Sequence, residues 1–138
     1  MVRASFLALT LAAVASNAAS VGGSGTVTFG SSVEHITVNV TGTSGRATFQ
    51  DKAAGGNVNG QIAINCVNIV GNTATLSGLV THSNRKSMIG NEGVFRIVDN
   101  GRRTDMASLI NFHQPGTSTD CNAGEFDVAP VKGDFTVR

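Results

Sequence analysis

The segment Gly60–His82, GQIAINCVNIVGNTATLSGLVTH, constrains this chain more than any other. Two β-rich runs flank Gly71-Asn72, a Gly/Asn pair of the kind that supplies positive φ in a two-residue hairpin turn. With that turn Val70 faces Thr73, Val67 faces Leu76 and Cys66 faces Ser77. Strict alternation then puts Ala63, Val67, Ile69, Ala74, Leu76 and Val80 on one face. The other carries Ile62, Ile64, Cys66 and Leu79 toward the open end, with Asn68, Thr73 and Thr75 near the turn. A ribbon apolar on both faces has to be covered on both. The hairpin is therefore expected at the centre of the fold.

Shorter alternating runs surround it. Ile36, Val38 and Val40 alternate with Thr37, Asn39 and Thr41; Ala47 and Phe49 alternate with Arg46, Thr48 and Gln50. Phe95 and Ile97 share a face opposite Val94, Arg96 and Val98, and Phe135 and Val137 close the chain facing inward. Asp99-Asn100-Gly101 reads as a type I′ hairpin turn, with Asp105–His113 as the partner strand. No amphipathic helix intervenes. The expectation is an all-β fold: a single antiparallel meander of about seven or eight strands forming a small barrel, with a β-sandwich as the alternative.

The N-terminus has a different character. A short basic start, Met1-Val2-Arg3, precedes the apolar run Phe6–Ala15 and a small-residue stretch ending in Ala18-Ala19. That is the layout of a secretory signal peptide, too short for a membrane span. Residues 1–19 are thus expected to be a leader and 20–138 one β-domain, secreted to the extracellular side. Setting Arg3 aside, nine Lys and Arg stand against nine Asp and Glu. A neutral domain has no broad attraction for nucleic acid or anionic lipid, and no later stretch is long and apolar enough to span a membrane. Its partner is expected to be an extracellular ligand or surface.

Cys66 and Cys121 are the only cysteines, and in an exported chain they are expected to pair. The irregular stretch 114–130 would then be strapped over the Ile62/Ile64/Leu79 side of the hairpin. No Cys-x-x-Cys or His-x-x-x-His spacing offers a metal site, and no cofactor is expected. Asn39-Val40-Thr41 is a glycosylation sequon on the polar face of its strand.

The pattern Gly60-x-Ile62-x-Ile64-x-Cys66-Val67-x-Ile69-x-Gly71-Asn72-x-Ala74-x-Leu76-x-Gly78 is followed by Gly93-x-Phe95-x-x-Val98-x-Asn100-Gly101, an acidic residue and a second cysteine. Over roughly Gly45 to Cys121 the chain resembles a loose group of small secreted all-β proteins, frequent in bacteria, that carry no assigned activity. These are fold-making residues, so the resemblance implies architecture and no chemistry. Met88-Ile89 and Arg102-Arg103 depart from the pattern.

Function is weighed on what remains. No Gly-x-Ser-x-Gly elbow or other local signature gathers a catalytic set. No residue is assigned as catalytic, and for a hydrolase His82, His113, Asp99 and Asp105 would be the first to test. A carbohydrate-binding module commonly stacks sugars on Trp or Tyr, and the chain has neither. A barrel of eight strands can hold one small apolar ligand, with Ala63, Ala74, Leu76 and His82 as the expected pocket. The leading expectation is a binding or extracellular structural protein. The apolar carrier is the alternative, ahead of hydrolase and carbohydrate-binding module.

Overall fold

The computed structural model describes residues 18–53, 56–114, 121 and 126–138. Residues 1–17 of the expected leader and most of the irregular stretch after Gln114 lie outside these. Among the described residues the strands are β1 (Ser20–Phe29), β2 (Ser32–Thr41), β3 (Ser44–Ala53), β4 (Gly56–Val70), β5 (Thr73–Ser83), β6 (Glu92–Val98), β7 (Met106–Ala107), β8 (Asn111–His113) and β9 (Ala129–Val137). A 3₁₀ turn, Lys86–Met88, is the described helical element.

All pairings are antiparallel. β1 to β6 follow in chain order, β7 and β8 both lie against β6, and β7 passes the sheet to β9, which pairs with β1. β7 and β8 are two halves of one broken stave. The result is an eight-stave barrel, not a sandwich. Three of its connections are two-residue turns led by Gly30, Gly42 and Gly71, each with φ near +60°. Glycine at the first turn position fits a type II′ turn, whose twist matches the strands it joins.

The inner face holds the core. Ile36, Ile62, Leu76, Phe95, Ile97 and Phe135 are fully buried and pack into one cluster that fills the barrel. Phe49 and Phe112 close one end, their rings 5.0 Å apart and tilted. Glycine is required where staves approach most closely. A Cβ on Gly78 would collide with the Ala63 carbonyl oxygen.

The central hairpin keeps its expected turn and register near the tip: Val70 opposite Thr73, Val67 opposite Leu76, Cys66 opposite Ser77. Further along, the strict alternation fails. Register shifts at Ile64/Cys66 and Gln61/Ile62 insert extra residues, and each slip by one residue swaps the faces. Ile62 and Ile64 therefore join Val67, Ile69, Ala74, Leu76 and Val80 toward the core, while Ala63, Leu79 and His82 are exposed. The bulges sort most of the ribbon's large apolar residues onto one face, leaving Leu79 on the other.

The strap also differs from expectation. Cys66 and Cys121 form the disulfide, Cα atoms 6.0 Å apart, but it does not lie over Ile62 and Ile64, which are inside. Cys121 is buried against the outer surface of the hairpin near its tip, where Thr75, Ser77 and Val94 are buried too. Arg96 joins this cover: its Nε donates to Thr75 Oγ1 at 3.1 Å, and its guanidinium lies 4.8 Å from the Phe126 ring centroid.

Two further expectations are corrected. Asp99-Asn100-Gly101 does not make a type I′ turn: among the described residues no non-glycine residue has positive φ, and the connection runs from Asp99 to Asp105. Its carboxylates bind backbone instead. Asp99 accepts from Gly101 and Val137, and Asp105 from Asn100 and Phe135. The expected strand 105–113 is broken at Ser108–Ile110. There the Ser108 hydroxyl accepts from Arg96 N–H at 2.9 Å, and Ile110 N–H turns to Glu34 Oε1 at 2.8 Å.

Candidate functional site

With the interior filled by side chains, the broad concavities fall on the outside of the wall. Outward positions on β2 to β5 line up across the sheet in register. His35, Gln50 and Asn59 form one row; Thr37, Thr48 and Gln61 form the next, with His82 beyond; Asn39, Arg46 and Ala63 form the third. The bulges that re-aim the central hairpin also bend it, and the face is dished.

Two depressions share this face. One, of about 510 Å³, is lined by His35, Thr48, Gln50, Asn59, Gln61 and His82 among others, with Ser83 and Ile89 on its rim. The second, of about 650 Å³, is lined by Thr37, Asn39, Arg46, Thr48, Gln61, Ala63 and His82 among others. Thr48, Gln61 and His82 belong to both, so the two form one groove across four strands. The histidine rings are braced: His35 Nδ1 lies 2.9 Å from Thr26 Oγ1, and His82 Nδ1 lies 3.1 Å from Thr81 Oγ1. Asn84 pins the next connection to the rim, its Oδ1 accepting from Asn59 N–H and its Nδ2 donating to Asn57 C=O. The polar groups of the groove are amides, hydroxyls, imidazoles and one guanidinium, set beside Ala63 and Ile89, and they suit hydrogen bonding to a polar ligand.

The residues singled out from the sequence are distributed differently. Ala74 and Leu76 are in the core, whereas Ala63 and His82 lie on the outer groove, so the four do not share a cavity. His113 ends β8 and is exposed. Asp99 and Asp105 belong to the loop beside the Gly71-Asn72 turn, where Asp99 N–H donates to Asn72 C=O. That is the far end of β5 from His82, so the histidines and aspartates are not brought together. Asp105 is buried and engaged by backbone, and the exposed Asp134 beside it has its carboxyl pushed upward, chiefly by a hydrogen bond with the Asp105 carboxyl. Among the described residues no group of three or more His, Cys, Asp or Glu could hold a metal, and no helix is long and apolar enough to cross a membrane. Asn39 is exposed within the groove, opposite Arg46, so a glycan on it would cover the floor.

Glu34 is buried at an inward-facing position of β2, and Asp51 stands beside it in register on β3. Burial pushes the Glu34 carboxyl up to about 8 against the hydrogen bond from Ile110, with the Asp51 charge adding to the rise. Asp51 Oδ1 is buried with no hydrogen-bond partner among the described residues.

Reasoning from sequence missed Thr48, Gln50, Asn59 and Gln61. Their signal was present as polar residues at alternate positions on successive strands, but it requires the strand register to become a surface. No family model, curated protein or solved structure matches the chain.

Proposed function

We propose that this chain is an exported binding protein whose ligand lies on the outside of the barrel, in the β2–β5 groove. Export is supported by the layout of residues 1–19 and by the disulfide, since such bonds persist in oxidising compartments. The observation that carries the reading is the pairing of a filled interior with a dished outer face lined by hydrogen-bonding side chains from four strands. A barrel carrier needs its space inside, and here that volume is occupied by Phe, Ile, Leu and Val.

Thr48→Trp tests this. Thr48 lies on the outer face and lines both depressions, so the indole obstructs the groove without entering the core. A glycan array probed with the wild-type protein should give binding that Thr48→Trp abolishes, with circular dichroism unchanged. Native mass spectrometry of protein purified from its source should give no apolar adduct on the polypeptide, glycosylated at Asn39 or not. Array binding indifferent to Thr48→Trp, or a stoichiometric apolar adduct, would overturn the proposal.

A further inference from the structure

Resting on that groove, we infer the chemical class of its ligand: a polysaccharide carrying carboxylate or sulfate groups. The placement of charge around the wall carries this inference. Between Ser20 and Ser83 the only acids are Glu34 and Asp51. Both sit at inward-facing register positions, Glu34 fully buried and Asp51 half-buried beside it. The outer face of β1 to β5 therefore presents no carboxylate, and none lines either depression. Five strands at the usual spacing make this sector roughly 19 Å wide. Acids resume at its borders, with Glu92 opposite Leu79 on one side and Asp134 opposite Ser24 on the other.

Cations remain inside the sector. Arg46 stands in the groove. Lys52 stands one residue before the end of β3, opposite Asn57, the residue whose carbonyl Asn84 holds, and Arg85 and Lys86 follow Asn84 just beyond the end of β5. Positive charge thus lies at both ends of a polar groove with no acid between. An anionic chain crossing it meets guanidinium and ammonium groups at its ends, and amide and hydroxyl groups in the middle to bond its own hydroxyls.

The same residues argue against other polyanions and against protein. Nucleic-acid grooves stack bases mainly on exposed Phe, Tyr or Trp rings, and the groove's outward-facing residues include none of these. Protein interfaces centre on desolvated apolar or aromatic anchors, but among the described residues the exposed large apolar ones are Val70, Leu79 and Ile89, spread from a turn tip to the rim.

The test uses protein made without N-glycosylation, so that Asn39 is bare. Its probes are polygalacturonate, the fully methyl-esterified polymer, heparin and single-stranded DNA. Polygalacturonate or heparin should bind, and which one does identifies the anion. Affinity should fall with salt and drop about tenfold or more for Arg46→Glu, while Arg46→Lys retains it. Equal binding of the ester, blocked by Thr48→Trp, would overturn the anionic class and leave the groove in place. Anionic binding untouched by both Thr48→Trp and Arg46→Glu would remove the groove itself. DNA bound as tightly as the polysaccharides, or no binding to any probe, also overturns the inference.

Discussion

Glu34 is the least comfortable residue in the barrel. It occupies an inward position on β2 that an apolar residue would fill at no electrostatic cost, and its one described service is to accept the Ile110 N–H where the β7–β8 stave breaks. Its carboxyl is raised from 4.5 to about 8 in the folded state. For an acid shifted upward the sign is unusual. Below 4.5 folded and unfolded forms both hold the proton; between there and 8 only the folded form does, so each pH unit lowers stability. At about 1.4 kcal/mol per unit the loss amounts to roughly 5 kcal/mol, as an upper figure. Glu34→Gln keeps an oxygen for Ile110 and removes the titration. Thermal unfolding of wild type and variant should coincide near pH 4, and the variant should become the more stable as pH rises toward 8. Parallel curves over that range would mean the carboxyl is not protonated in the fold.

Scaled up to elements, the strap and the hairpin explain how far the sequence could be read. Alternation alone located β2, β3 and β9, because each has one apolar and one polar side; β6 was located by its β-branched run although Val94 and Val98 flank Arg96 on its second face. It misplaced Ala63, Ile62, Ile64 and His82, because a bulge shifts phase without leaving a local mark, and only cross-strand pairing reveals it. The groove was hidden by the same step, and its charge was hidden by a neutral total that averages an acid-free sector with the rest. Cysteine counting did find the disulfide, though not the surface it covers. That surface lies over Thr75, Ser77 and Val94, near the hairpin tip, whereas the groove uses Gln61, Ala63 and His82 toward the other end of the same strands. The two should be energetically separate. Replacing both Cys66 and Cys121 with serine should cost about 4 kcal/mol in the chain-entropy account, read by urea denaturation, while ligand binding at the groove stays unchanged. A large loss of binding at full folding would show that the strap reaches the site.

At the scale of the whole molecule, closure is the organising fact. The last stave returns to the first, with Val21 opposite Val137 and Ser20 exchanging two 2.9 Å hydrogen bonds with Arg138. This seam removes the unpaired edges an open eight-stave sheet would expose. It also means that the chain order of the staves is incidental to the ring, since the two ends of the domain are cross-strand neighbours. Joining Arg138 to Ser20 through a two-residue Gly-containing turn would make the seam an ordinary hairpin. Opening the exposed Gly30-Ser31 turn would supply new termini at little loop-closure cost. This circular permutant should fold to the same β-sheet circular dichroism within about 1–2 kcal/mol of the parent, because every strand pair survives. A chain ending before β9 should not fold, because β1 and β7 each lose a partner and the core is opened at Val131 and Phe135. If the permutant were unfolded while the shortened chain stayed folded, the β1–β9 seam could not be what holds the barrel shut.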